Sequence, residues 1–291
     1  MPQYQLHFWV PLINFYSERQ PIRLRGNLSI SVASDYEKQL LSELKSKWSN
    51  IRFSDFLLRL TLEKDEPESK PHVYLPDARA EIEKAITIFR LFRAQPVGFN
   101  AIIQRYNEDV SYAYSAIQLL HYMLWAPPDS TLSREIYELQ ENEVKEFASF
   151  FREYDLPTMS NLGLAIGYFN KSYIEPYTPR DSVLDIMICL ENLFLRGTHQ
   201  ELSYKLAMRM AHLLGGNVDE RSSIFQFVNE AYSLRSKIVH GGDIRNLSEE
   251  YLFRIRDLAR KSIRYLLKHI SLWSGTELDK LVLHNILCPN H

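Results

Sequence analysis

Between Val183 and Leu195 the chain reads Val-Leu-Asp-Ile-Met-Ile-Cys-Leu-Glu-Asn-Leu-Phe-Leu, a segment of helical length that is apolar on nearly every side. A helix of this kind needs neighbours all round, so it marks the centre of a helical bundle and not its surface. Glu191 lies inside the run, where a carboxylate is costly unless it is paired or hydrogen-bonded. Two roles are open to it: structural partner for an arginine or a backbone group, or an acid that lines a site.

The flanking sequence supplies the neighbours. From Glu141 the pattern is helical almost to the end, with breaks at Pro157, at Pro176 to Pro179, and at Gly197, Gly215 to Gly216 and Gly241 to Gly242. Glycines just past periodic segments are helix stops. The spacing predicts helices over about 141–154, 160–173, 182–196, 200–214, 219–240 and 249–272. The last opens on Ser248 as cap, with Leu247 and Leu252 placed as a hydrophobic staple. Leu252, Ile255, Ala259, Ile263, Leu266 and Ile270 form its buried stripe, while Arg254, Arg260, Lys261, Arg264 and Lys268 gather on a different face. Asp257 is the acid that opposes them. Such a face is either solvated or tracks phosphates, which makes Arg254, Arg260, Lys261 and Arg264 candidate RNA contacts.

The N-terminal segment has a different period. Tyr4, Leu6, Phe8, Val10 and Leu12 alternate with mostly polar neighbours, as do Leu28, Ile30 and Val32, and then Phe56, Leu58, Leu60 and Leu62. These read as half-buried strands. Between the second and third, Ser34 and Glu37 make a capping box that opens a helix with Leu40, Leu41, Leu44 and Trp48 on its apolar side. Lys64 to Pro76, with three prolines and a cluster of acids, is the best linker. The boundary is therefore placed near residue 70, dividing a small α+β unit (1–70) from a helical domain (77–275). Asp77 is read as the cap of a helix carrying Ile82, Ala85, Ile86 and Phe89. Phe99 to Tyr106 reads as a strand, and Tyr112 to Trp125 fits either type.

Composition excludes several classes. The 291 residues are 45% apolar, ample for a core, and a net charge of −2 argues against a protein that coats nucleic acid by bulk charge. Two distant cysteines, Cys189 and Cys288, do not make a disulfide framework. No Lys or Arg precedes Arg19, which is wrong for a signal peptide, and no run approaches the roughly 20 apolar residues of a membrane span. A cytoplasmic protein is expected. There is no phosphate-binding loop or dinucleotide fingerprint, and His284, Cys288 and His291 form only a three-ligand tail, so no metal or other cofactor is expected. His212, on a Leu- and Met-rich helix, reads as a packed or edge histidine.

The segment Tyr232 to Gly242, Tyr-Ser-Leu-Arg-Ser-Lys-Ile-Val-His-Gly-Gly, carries the chemistry. Arg235 offers a permanent charge and a forked donor geometry that fits phosphate; His240 exchanges protons near neutral pH. On an ideal helix Phe227, Ala231, Leu234 and Ile238 share the core stripe, and Arg235 lies on its flank with Val228, Tyr232 and Val239. His240 then falls about 140° round from Arg235, so the two do not meet in one pocket unless the last turn unwinds at the glycines or a second chain closes a cleft.

Three blocks, Leu184 to Phe194, Leu206 to Leu214 and Ala231 to Gly242, resemble in order the Apea-like HEPN domain family. Upstream, Phe89-Arg-Leu-Phe-Arg93 with Val97-Gly98, and Leu164-Ala-Ile-Gly-Tyr-Phe169, resemble its leading segments, so the likeness spans about residues 80 to 270. The resemblance implies a mainly α HEPN-type bundle that homodimerises, with Arg235 and His240 as the catalytic Arg-x4-His motif at the dimer cleft. It implies metal-independent endoribonuclease activity leaving a 2′,3′-cyclic phosphate, in proteins that often act in phage defence or toxin systems. Ser236, Glu191 and Tyr232 are expected to support the site. The other expectation is a HEPN module without catalysis, serving in dimerisation, RNA binding or regulation, with Arg235 paired to Glu191. The N-terminal unit is left for substrate choice, partner docking or autoinhibition.

Overall fold

The computed structural model describes residues 4–47, 54–64, 74–99, 101–105, 136–154, 162–173, 178–242 and 247–288. It forms two compact units, Met1–Asp155 and Leu156–His291. The sequence boundary near residue 70 lies inside the first unit, because the helix that follows the linker packs on the strand at Phe56–Lys64 and on the helix at Val144–Glu153.

In the first unit the strands β1 (Tyr4–Ile13), β3 (Ile22–Arg25), β4 (Leu28–Val32) and β5 (Phe56–Lys64) lie antiparallel in the order β3-β4-β5-β1. The register sets Phe8 opposite Leu60 and Val10 opposite Leu58, so the alternating apolar residues stack on one face. Short strands β6 (Gly98–Phe99) and β7 (Ile103–Arg105) pair with the free side of β1. On the other face Trp9, Leu57 and Ile103 form a cluster with Leu40 and Leu41 of α1 (Asp35–Lys47). The predicted capping box is present: Ser34 N–H donates to Glu37 Oε2 at 2.7 Å and Glu37 N–H to Ser34 Oγ at 3.4 Å. Leu44 has no described side chain, and Trp48 and the 112–125 stretch lie outside the described residues.

Helix α2 (Leu75–Phe92) starts two residues before Asp77, with Tyr74 as N-cap, Pro76 in the first turn and Asp77 beside it as an acid near the positive helix end. Its Phe89 is the hub of an aromatic cluster. The ring lies 5.7 Å from Phe15, 5.9 Å from Tyr137 and 5.0 Å from Phe147. Phe15 belongs to β2 (Phe15–Ser17), which pairs parallel with β8 (Tyr137–Leu139), and Phe147 to α3 (Val144–Glu153). Strands as short as β2, β3 and β8 lack the length for a readable alternation, and they were not anticipated.

In the second unit α5 (Pro179–Phe194) is the central element, packed against α4 (Gly163–Lys171), α6 (Leu202–Leu214), α7 (Val218–Val239) and α8 (Glu249–Lys268). It begins three residues earlier than its periodicity suggested, with a Thr178–Asp181 capping box and Pro179 in the first turn. Gly215 ends α6, and a Cβ there would lie 2.7 Å from Arg221 Cγ and 2.9 Å from the Ala211 carbonyl, so only glycine fits the approach of α7. Ser248 caps α8 as expected, its Oγ accepting from Tyr251 N–H at 3.1 Å. The chain then breaks at His269, and a short 3-10 turn at Ile270–Leu272 leads to α9 (Gly275–Leu287), a helix the sequence reading ended before. No helix among the described residues is long and apolar enough to cross a membrane.

Phe89 is 0% exposed and Ile136, in the same unit, is 54% exposed. Phe89→Ala is expected to cost about 3–5 kcal/mol by cavity formation, and Ile136→Ala less than about 0.5 kcal/mol, measured by urea unfolding.

Candidate active site

Asn217 caps α7, its Oδ1 accepting from Glu220 N–H at 2.8 Å, and the helix then runs to Val239. Phe227, Val228, Ala231 and Ile238 are buried along it, which reproduces the predicted stripe except that Leu234 is half-buried. Much of the rest of the surface of α7 is open, and Val239 is 53% exposed.

The helix is regular through the motif. His240 N–H still donates to the Ser236 carbonyl at 3.1 Å, and the reversal comes only afterwards, where Gly241 adopts a positive φ of 74°. Gly241 N–H donates to Ile238 O at 3.2 Å and Gly242 N–H to Lys237 O at 2.8 Å, the paired pattern of a Schellman stop. The glycines thus close the helix without unwinding its last turn. His240 stands exposed at the end, and no hydrogen bond joins it to Arg235 among the described residues. Arg180, in the first turn of α5, reaches the same end and donates to Ile238 O at 3.5 Å, placing a cation at the negative pole of α7.

Arg235 turns toward α5. Its Nε is 3.4 Å from Glu191 Oε1, and the side chains are 32% and 23% exposed respectively. Glu191 Oε1 is shielded from solvent yet accepts no hydrogen bond, so the contact is an electrostatic one without the directional bond. Burial lifts the Glu191 carboxyl above its ordinary pKa, and the Arg235 charge pulls it part of the way back. Tyr232 belongs to the same group: burial first, then the Glu191 charge, raises its phenol, with Arg235 opposing. It remains a neutral donor at working pH. Ser236 is half-buried beside them and contributes its carbonyl to the last helical turn. Arg235, Glu191 and Tyr232 are therefore together, whereas His240 is set apart on the exposed end.

The candidate RNA contacts on α8 are less open than the sequence suggested. Arg254 donates to Ser223 Oγ at 2.9 Å and lies 4.1 Å over the Phe227 ring, holding α8 to α7. Arg260 and Lys261 both bind Asp257, at 2.7 Å and 2.8 Å. Burial pushes the Asp257 carboxyl up, but bonds to Lys261 and Arg260 outweigh it and leave the pKa below its ordinary value. Arg264 is half-buried.

Two further ionic residues, Asp185 and Arg209, are buried in this unit. Asp185 is buried in α5 with Lys171 Nζ 3.3 Å from its Oδ1, and burial raises its carboxyl despite that lysine. Arg209 is buried in α6, donating bidentately to Asp279 at 2.8 and 2.9 Å, to Thr198 Oγ1 at 3.0 Å and to the Phe194 carbonyl. An ionisable residue inside an apolar helical run was the available signal for both. His212 is held below its ordinary pKa by burial and then by the Arg221 charge, as suits a packed neutral imidazole. No group of three potential metal ligands occurs among the described residues, and His291 of the C-terminal tail lies outside them. No protein-family model, curated protein or solved structure matches the chain.

A carboxyl with a raised folded-state pKa takes up protons on folding, so its contribution to stability is present below the unfolded value and is lost as pH rises through the folded value. Glu191→Gln is expected to be neutral or stabilising at pH 7 and to flatten the pH dependence of stability upward from about pH 4.5, its reference value. Because the pair is partly solvated, Arg235→Ala is expected to cost about 1 kcal/mol and not the 3–5 of a sealed pair. Chemical denaturation across a pH series reads both.

Proposed function

We propose that the chain is a HEPN-type, metal-independent endoribonuclease that works as a homodimer. What supports the reading is the intact Arg235-x4-His240 spacing at the stopped, solvent-facing end of α7, with Arg235 partly exposed. The resemblance in the three helical blocks adds the family context.

In this reaction the ribose 2′-oxygen attacks the adjacent phosphorus, the P–O5′ bond breaks, and the products are a 2′,3′-cyclic phosphate and a 5′-hydroxyl. One proton leaves the 2′-hydroxyl and one is delivered to the departing 5′-oxygen, so no oxidant, reductant or water is consumed. The step calls for a base, an acid and a positive charge on the phosphorane-like transition state. One chain offers a single motif imidazole, which no hydrogen bond joins to its own arginine among the described residues. A twofold arrangement supplies two, one accepting and one donating the proton, with the two Arg235 guanidinia on the phosphate oxygens. Exposed Val239 and His240 at the end of α7 suit such an interface. In this scheme Glu191 and Tyr232 are positioning residues that fix the direction of Arg235. Of the α8 cations, Arg260 and Lys261 have their charge spent on Asp257, which weakens the RNA-contact role for those two.

The Arg235–Glu191 contact is the observation that favours a second reading, a HEPN module without catalysis in which the pair braces the bundle. The readings separate in one assay: purified protein with mixed single-stranded RNA in chelator, beside an Arg235→Ala, His240→Ala variant. The nuclease reading expects cleavage by the parent and a loss of at least about 10³-fold in the variant, the scale of removing both charge stabilisation and proton transfer. Equal cleavage by both, or none by either over a broad substrate set, removes it and leaves the module.

A further inference from the structure

Glu191 has a second neighbourhood. Besides facing Arg235, it borders an open groove of about 490 Å³ whose other walls include Leu162, Ala165, Leu195 and Leu202. At Arg196, Thr198 and Trp273 this groove meets a second, of about 630 Å³, that is predominantly polar and includes Lys205. Each volume falls within the roughly 300–1,000 Å³ typical of ligand clefts. The two share the walls Arg196, Thr198 and Trp273 and are together called the trench, apolar beside Glu191 and cationic at the far end.

Three features mark the trench as more than a surface crease. Arg196, which is exposed, lies 4.5 Å over the Trp273 ring, a cation–π pair at the junction. Trp273 Nε1 is shielded from solvent and has no hydrogen-bond partner among the described residues, and a buried orphan donor calls for an acceptor. The walls are also fixed, since buried Arg209 ties the Phe194 carbonyl, Thr198 and Asp279 of α9 to one another. Arg209 has its carboxylate; Arg196 and Lys205 make no ion pair with a carboxylate among the described residues. The site therefore combines an aromatic plane, two uncompensated cations and an apolar floor.

We propose that this trench binds a nucleotide of a single-stranded RNA, a base stacking against the Trp273–Arg196 pair and a flanking phosphate meeting Arg196 and Lys205. Stacking on aromatic and guanidinium planes beside backbone-tracking cations is how proteins hold single strands. Glu191 links the trench to Arg235, so the strand enters the proposed cleavage site by way of the trench. The inference rests on the ribonuclease reading for that direction and not for the binding itself.

The test is fluorescence anisotropy with a labelled, single-stranded 2′-O-methyl RNA, which cannot be cleaved through its 2′-oxygen, and an abasic strand of equal length. Trp273→Ala is expected to weaken binding of the base-bearing strand on the order of tenfold, the scale of one lost stacking contact, with Trp273→Phe close to the parent. Arg196→Ala is expected to weaken it several-fold and to flatten its salt dependence. The abasic strand should not distinguish Trp273→Ala from the parent. Thermal melting by circular dichroism establishes that each variant is folded, and exposed Arg196 carries the test if Trp273→Ala is not. Unchanged affinity in folded Trp273→Ala and Arg196→Ala, or no preference for base-bearing over abasic strand, overturns the trench. Trench-dependent binding without cleavage by the parent defeats the nuclease reading and leaves the trench standing; cleavage with unaltered KM in both variants does the reverse.

Discussion

The burial of α5 is the constraint on which the second unit depends. A helix with Val183, Ile186, Met187, Cys189, Leu190, Leu193 and Phe194 all out of solvent must be wrapped by others, and α4, α6, α7 and α8 do so. The wrapping draws Asp185 and Glu191 into surroundings where an unpaired carboxylate is costly. Each is answered by a cation from a neighbouring helix, Lys171 from α4 and Arg235 from α7. The position of Arg235 is thus a consequence of core formation before it is a matter of chemistry. The nuclease site proposed there would inherit an arginine already held by the bundle.

The difference between the ion contacts of Arg209 and Arg235 bears on function. Arg209 meets Asp279 with two well-directed bonds and gives two more donors to Thr198 and a carbonyl, so four of its five N–H groups are spent within the fold. Arg235 meets Glu191 at 3.4 Å, and the carboxylate oxygen stays without a hydrogen bond. A guanidinium bound so loosely keeps donors for phosphate, which a brace for the bundle has no need to reserve.

What the sequence disclosed follows from the range of the forces involved. Helix stops at Gly215 and Gly241, the Ser34–Glu37 box, the Ser248 cap and the stripe on α8 are local, set by residues within a turn, and they were readable. The strands β2 and β8 pair across more than a hundred residues with three positions each, so no local period announces them. A proline-rich linker near residue 70 looks like a boundary for a related reason, but the Phe89 cluster joins α2 to Phe15 of β2 and Phe147 of α3 within the first unit. At the candidate site the cost of a buried carboxylate leaves Glu191 an arginine, a backbone group or a site role, and the Arg235 contact is the arginine alternative, which the non-catalytic reading expects. Occupation of Arg260 and Lys261 by Asp257 depends on side-chain choice at i, i+3 and i, i+4, where the sequence allowed both solvation and RNA contact.

The central claim is that Arg235 and His240 promote attack by the substrate's own ribose hydroxyl. It is tested most directly by the ends of the cleavage products. End-labelled RNA digested in chelator, with termini resolved by mass spectrometry, should give 2′,3′-cyclic phosphate and 5′-hydroxyl ends. Termini bearing 3′-hydroxyl and 5′-phosphate, the mark of attack by water and not by the 2′-oxygen, would contradict the account.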